Sequence, residues 1–386
     1  MAIYFDHNAS TPLHPEVLEE MLPFLQRTHG NASSLHQSGR FLRSAIETAR
    51  QQVAELVNCP QQDVIFTSGG SEANNLAIKG FIHAAPDTTL LSTGAEHASV
   101  LQPLQQMKQN GCSTHYLTLS DQGVVDMQDA ESQIQQLKPD LISVQLANNE
   151  TGVIQPLQQI ARLGHRNTAA LVHTDATQAI AKMAVDMQQL EVDMMTISGH
   201  KFQGPQGVGA LIIKRSAAKL NSALISGGHQ ESAYRAGTEN VAALVGFGKA
   251  AQLARINLLE RQTTLLELRR YFEQQLRAFG GVHIFAEQAN RLVNTSFFSI
   301  PYYHGETLLM QLDKAGFELA SGSACHSGVT SPSHVLAAMG IDEDLALNAV
   351  RVSFGADNTR QQIDELIQTL NHLINQLPAV MRQAVC

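Results

Sequence analysis

No apolar run in this chain is long enough to cross a bilayer, which excludes a helical membrane span. The start, Met1-Ala2-Ile3-Tyr4-Phe5-Asp6, lacks a basic segment followed by a long apolar one, so no secretory signal is expected and the chain reads as cytoplasmic. Positive charge is scarce: 26 Lys and Arg stand against 35 Asp and Glu, a net charge of −9, which argues against general nucleic-acid binding. Only four cysteines occur, Cys59, Cys112, Cys325 and Cys386, and none forms a Cys-x-x-Cys pair. That spacing excludes a zinc or disulfide framework; no metal site is expected, and free thiols are. No Gly-x-x-x-x-Gly-Lys-Ser/Thr phosphate loop is present. The glycine-rich stretch Gly204-Pro205-Gln206-Gly207-Val208-Gly209 lacks the dinucleotide spacing and precedes a strand pattern, so it reads as a tight turn back into a sheet. There is no internal repeat.

What remains is an ordinary globular composition, 44% hydrophobic and 16% charged, over 386 residues. That length suffices for two core-bearing domains or one large domain with a smaller partner. From about residue 60 to 215 one pattern repeats: a short apolar run, a polar or glycine-rich turn, then often a helical stretch. The runs are Val64 to Thr67, Leu90 to Thr93, Leu141 to Leu146, Leu171 to Thr174 and Met194 to Ile197. Strands alternating with helices predict a mostly parallel sheet covered on both faces. Ligands bind such sheets outside the carboxyl ends of the strands, so the polar turns are expected along one rim.

The pattern changes near residue 256. Ile256 to Phe279 reads as one long helix. Short strands are expected at Val282–Phe285, Val293–Ile300, Phe317–Ala320 and Arg351–Phe354, with helices at Glu306–Ala315 and Thr359–Gln376. This predicts a smaller α+β domain.

The chemistry centres on Lys201, in Ser198-Gly199-His200-Lys201 at the end of an apolar run. Asp175 ends another such run, 26 positions upstream. A lysine amine forms a Schiff base with an aldehyde cofactor, and a carboxylate beside a pyridine nitrogen keeps it protonated. These are the two protein contributions to pyridoxal phosphate (PLP) chemistry. Gln178, three positions after Asp175, faces the same way on one helical turn and is placed to meet the ring oxygen. The plain alternative makes Asp175 a helix cap and Gln178 a surface residue. Ser68-Gly69-Gly70-Ser71-Glu72-Ala73-Asn74-Asn75 reads as a strand-to-helix turn, with Ser71 either a helix N-cap or a phosphate ligand. His97 can stack on a planar ring and move protons, although one histidine among sixteen carries little weight alone. Cys325 lies in Ala320 to Pro332, a stretch of small residues without periodicity that reads as a mobile exposed loop. A thiol there is a liability unless used, whereas Cys59 and Cys112 read as small buried hydrophobes.

Taken in order, these segments resemble the cysteine desulfurases of the NifS/IscS-like group, within the class V aminotransferases of PLP fold type I. The resemblance also rests on Phe5 to Pro12, Gly30 to His36, Asn148-Asn149-Glu150-Thr151-Gly152, Arg235 to Asn240 and Arg351-Val352-Ser353, and so covers nearly the whole chain. It implies a large PLP-binding α/β domain over 11–255 with a mostly parallel seven-stranded sheet, and a small α+β domain from 1–10 and 256–386 that carries the cysteine loop, 321–332. It implies that Lys201 anchors the cofactor, Asp175 pairs with the pyridine nitrogen and Gln178 contacts the ring oxygen. The resemblance further implies that Gly70, Ser71, Ser198 and His200 hold the phosphate and that Thr238 reaches the phosphate of a partner subunit, in a homodimer with shared active sites. By the same resemblance His97 is expected to stack on the ring and transfer protons, Asn149 and Arg351 to orient L-cysteine, and Cys325 to accept its sulfur as a persulfide for a further acceptor protein. Adjacent His326 is a candidate to favour the thiolate. Three features depart from the group: a short tail after Gln376 ending at Cys386, Gln206 in place of a common lysine, and Gly70-Ser71 in place of Ala-Thr. A C–S lyase, selenocysteine lyase or aminotransferase of the same fold shares every cofactor residue, so only Cys325 and its loop discriminate. A non-enzymatic sulfur relay would be expected to lack Lys201 or Asp175.

Overall fold

The structure is a computed structural model; it describes residues 2–217, 220–301, 303–322, 324–326 and 329–376, with the backbone alone for 324–326, 329 and 330. In chain order the strands are β1 Ile3–Tyr4, β2 Val64–Thr67, β3 Thr89–Thr93, β4 Ser113–Leu117, β5 Leu141–Ser143, β6 Leu171–Asp175, β7 Met194–Ser198, β8 Gly209–Ile213, β9 His283–Ile284, β10 Thr295–Ser299, β11 Phe317–Glu318, β12 Ala320–Ser321, β13 Ala324–His326, β14 Val329–Ser331 and β15 Ala349–Ser353.

β2 to β8 form one seven-stranded sheet in the order β2-β8-β7-β6-β5-β3-β4. Only β8 runs against its neighbours, so the sheet is mostly parallel, as the repeating pattern predicts. Apart from the edge strand β4, Ser113–Leu117, which is polar and partly exposed, the strands read as largely apolar runs because both faces are covered. Ile65, Leu90, Leu141, Met194 and Leu211 pack on one face, while Phe66, Leu91, Ile142, Met195 and Ala210 pack on the other. Alternate residues thus point to opposite cores.

A second sheet, β12-β15-β10-β9, is antiparallel. Its alternation is also clean. Val350 and Val352 of β15 enter a core with Phe298, Phe272, Leu308 and Phe5, while Ala349 faces the core of the large sheet with Phe297. Arg351 lies on that same side, aimed back toward the large sheet. Phe5 joins the second core because β1 pairs with β11, and Ser353 donates its N–H to the Phe5 carbonyl at 2.8 Å.

Two expectations change. The long helix after 256 is Leu258–Leu276, and Asn257 interrupts the path as the C-cap of Val241–Ile256 and the N-cap of the next helix. The segment around Cys325, read as a loop without strand character, pairs in part: β13 and β14 form an antiparallel ribbon with Cys325 opposite Thr330. Small residues hide strand alternation because they carry no polar-apolar contrast. Ser323, Ser327 and Gly328 of that segment, the His326 side chain and the tail 377–386 lie outside the described residues. Among the described residues no helix is long and apolar enough to cross a membrane.

Candidate functional site

The rim holds what the pattern placed there. A cavity of about 380 Å³ at the strand ends is lined by Gly70, Ser71, His97, Asn149, Asp175, Gln178, Ser198, His200, Lys201 and Arg351. Ten of the expected site residues therefore converge. Thr238 does not: it is exposed in the segment before Val241 and lies away from this cavity. The Cys325 side chain lies outside the described residues.

Lys201 closes a short turn, Gly199–Lys201, that follows β7 directly. Its Nζ donates to the carbonyls of Asn8 at 2.7 Å and Ala9 at 2.8 Å. Burial lowers its pKa to about 8, and nearby Arg351 adds to the effect, while Asp175 and Asp6 act against it. An amine so tuned is a competent nucleophile near neutrality.

Asp175 ends β6 and is buried. Its Oδ1 accepts from the Thr177 N–H at 2.9 Å and its Oδ2 from Asn74 Nδ2 at 2.7 Å. No helix follows; residues 176–182 form successive turns, with Ala181 at φ 63°. Gln178 still reaches the cavity, but through turn geometry rather than a helical face.

Sequence reasoning missed a chain of contacts that starts at Asp175. Asn74 Nδ2 donates both to Asp175 and, at 2.8 Å, to Ser99 Oγ. Ser99 Oγ in turn lies 2.7 Å from His97 Nδ1, which also accepts from the Ser99 N–H at 3.1 Å. Because Nδ1 accepts a backbone N–H, the neutral ring carries its proton on Nε2. His97 opens toward the cavity, yet its surroundings withhold enough water that its pKa is lowered, with Asp175 opposing. His200 is likewise lowered, to about 4, first by burial and then by Lys201. Both histidines are thus neutral near pH 7. Asn74 sits in a motif already singled out, without an expected role, and Ser99 carries no sequence signal.

The N-terminal turn of the helix Gly70–Asn75 faces the same cavity. Its N-cap is Gly69, at φ 154°, and not Ser71, which lies one turn position inside. Gly69 offers no side-chain cap; Glu72 Oε2 instead accepts from the Ser68 N–H, just before the helix, at 2.8 Å. A Cβ on Gly70 would stand 3.2 Å from Thr177 Oγ1 and 3.5 Å from Ser198 Cβ, so the glycine keeps a cradle open. Thr177 Oγ1 and Asn74 Oδ1 are buried there with no hydrogen-bond partner. Orphaned polar atoms around an open cradle fit a polar group such as a phosphate.

At the opposite wall, Arg351 sits mid-strand on β15, paired in register with Ala320 and Phe297. Its Nη2 meets Asp6 Oδ1 at 2.6 Å and its Nη1 donates to the Asn149 carbonyl at 2.9 Å. The arginine is thereby held in place while facing the cavity.

Cys59 and Cys112 are free, and burial pushes the Cys59 thiol up to about 12, an inert state.

Comparison with known proteins follows the same lines. A cysteine desulfurase IscS of Dictyoglomus turgidum is 39% identical over 381 residues, spanning 98% of this chain and 96% of the relative. A solved NifS-like protein superposes with a TM-score of 0.90 at 32% identity, covering 98% of this chain and 100% of that one. The structure of SspA in complex with cysteine matches with a TM-score of 0.79 at 30% identity, over 91% of this chain and 98% of that one. The model of the class-V aminotransferases matches residues 3–366. The chain belongs to the class-V aminotransferase family.

Proposed function

We propose that the protein is a PLP-dependent cysteine desulfurase, which converts L-cysteine to L-alanine and leaves the sulfur as a persulfide on Cys325. The observation that carries this reading is the convergence, in one cavity, of a lysine amine at the end of β7, a carboxylate at the end of β6 and a neutral histidine capping the helix Ala98–Gln109. The relatives named as cysteine desulfurases support the substrate.

The residues fit PLP. Gly70, Ser71, Ser198 and His200 would take the phosphate, together with the unpartnered Thr177 hydroxyl. Asp175 would hold the ring nitrogen, Gln178 the ring oxygen, and His97 the ring face. When bound, PLP supplies an electron sink for the carbanion beside the substrate's amino group. The chain's own groups do the rest. Arg351 takes the substrate carboxylate, with Asn149 beside it. Lys201 accepts the α-proton, and its pKa, lowered to about 8, leaves roughly a tenth of the amine neutral at pH 7, far more than an ordinary lysine would offer. His97 exchanges a proton at Nε2. The Cys325 thiolate attacks the substrate sulfur; the carbon–sulfur bond breaks, a sulfur–sulfur bond forms, and the carbon chain regains protons as alanine.

Three further parts belong to this reading. The chain divides into 11–255 and a smaller unit of 1–10 with 256–386. Two copies associate, so that Thr238, exposed outside its own cavity, completes the phosphate site of the other. The persulfide passes to an acceptor protein in the cytoplasm. The test is to incubate the purified protein with PLP and L-cysteine, follow alanine release, and look by mass spectrometry for one added sulfur atom on Cys325. Pyruvate and free sulfide in place of alanine and persulfide would favour a C–S lyase.

A further inference from the structure

Lys182 is the most deeply enclosed cation near the site, 5% exposed, and neither the cofactor anchor nor any expected ligand. It lies in the turns after Asp175, where Ala176, Ala179 and Ile180 give the segment an apolar appearance. Its Nζ donates to two neutral oxygens, Gln178 Oε1 at 2.7 Å and Asn8 Oδ1 at 3.1 Å. The charges acting on it, from Lys201, Arg351 and Arg261, are all positive, and burial lowers its pKa well below the usual lysine range. A buried amine without a counter-ion is costly to keep. It stands behind the cofactor wall and shares a small cavity with Lys201, His7, Thr11 and Arg261.

The consequence falls on Gln178. A side-chain amide has an acceptor end and a donor end, and its neighbours decide which way it turns. Charged or neutral, a lysine amine has hydrogens to donate, and Lys182 gives one to each of its two oxygens. With Lys182 donating at 2.7 Å, the oxygen of Gln178 faces it, because the reverse orientation would leave that donor without its acceptor and set the amide oxygen against the Asn8 carbonyl. The NH2 end then points to the Asn8 carbonyl, at 2.9 Å, and spends one hydrogen there. The second hydrogen is left for the cavity. Asn8, 1% exposed, joins the two lysines: its carbonyl accepts from Lys201 as well, and its Oδ1 accepts from Asn294 Nδ2 at 3.0 Å.

We propose that Lys182 is a positioning residue of the cofactor site: it fixes the amide of Gln178 with its NH2 end toward the cavity, where the ring oxygen of PLP is the acceptor. The inference rests on the PLP reading above. The full-length protein is stripped of cofactor, and PLP binding, the absorption band of bound PLP with its pH midpoint, and the melting temperature of the cofactor-free protein are measured. Lys182→Met is expected to weaken PLP binding about tenfold, the worth of one hydrogen bond to a charged oxygen, and to move the pH midpoint of the band. The cofactor-free variant is expected to melt no lower than the parent, since an unpaired buried amine is replaced by an apolar chain of similar length. Gln178→Ala is expected to reproduce the binding loss, and the double variant to add less than about twofold to either. If K182M does not fold, K182Q, which keeps a donor, is measured by itself and is expected to retain the parent band. A K182M protein that binds PLP as the parent does, with an unmoved band, overturns the inference. So do losses that multiply in the double variant, or a K182Q band displaced as far as that of Q178A. A parent protein that takes up no PLP sinks the functional reading itself, and this inference with it.

Discussion

The two sheets meet at the cavity and serve it in opposite ways. The seven-stranded sheet presents strand ends: Asp175 closes β6, and the Lys201 turn begins where β7 stops. The antiparallel sheet presents the middle of a strand, with Arg351 flanked in register by Phe297 and Ala320. A parallel sheet gathers all its carboxyl ends on one rim, so short side chains from distant parts of the sequence surround a planar ligand. An antiparallel strand gathers nothing at its ends but holds one long side chain rigidly between two neighbours. The first arrangement suits a cofactor that stays. The second suits a substrate carboxylate that comes and goes, and β12 continues from it toward the Cys325 ribbon.

Removing residues on each side separates these tasks. Lys201→Ala should abolish turnover, by roughly 10⁴-fold or more, since anchor and proton acceptor go together. It should also remove the covalent cofactor band, whatever L-cysteine is supplied. Cys325→Ser should lose persulfide formation while keeping that band; a serine variant that passed on sulfur at the parent rate would refute the desulfurase assignment. Arg351→Ala should raise the KM for L-cysteine by about 10- to 100-fold, the worth of a charge-assisted carboxylate contact, and change PLP retention little. If PLP retention fell as far as the KM rose, the division of labour between the sheets would be wrong.

The rim was legible in the sequence because its strands, the polar edge strand β4 excepted, are buried on both faces and so read as compact apolar runs, most with a polar turn after them. Asp175 and Lys201 stand at such turns. The antiparallel sheet was less legible: β9 is two residues long where four were expected, and Asn257 breaks the helix before it without any proline or glycine to announce it. Neither the Asn74–Ser99–His97 chain nor Lys182 had a signature. Gln178 lies only four positions from Lys182, but other partners lie far apart in sequence, 101 positions for Asn74 and Asp175 and 174 for Lys182 and Asn8, and the fold brings those together. Polar residues of ordinary type acquire meaning there from what they face, which no spacing along the chain encodes.

The smallest expected effect tests how the two sheets share in tuning the Lys201 amine. Lys201 stands between burial and Arg351, which lower its pKa, and Asp175 and Asp6, which raise it, with the balance at about 8. Only the neutral amine attacks an aldehyde. The rate at which cofactor-free protein captures PLP should therefore rise with pH, by about fivefold between pH 7 and 8, and level off above that. The sign for stability is the same. The unfolded lysine keeps its proton up to about 10.5 while the folded one sheds it from about 8, so the cofactor-free protein gains stability as pH rises through that window. Arg351→Ala removes one of the two lowering influences and should carry the capture midpoint upward. Rapid-mixing absorbance on both proteins checks this: a midpoint that stays fixed would mean that the antiparallel sheet leaves the Lys201 amine alone, and that burial by itself does the tuning.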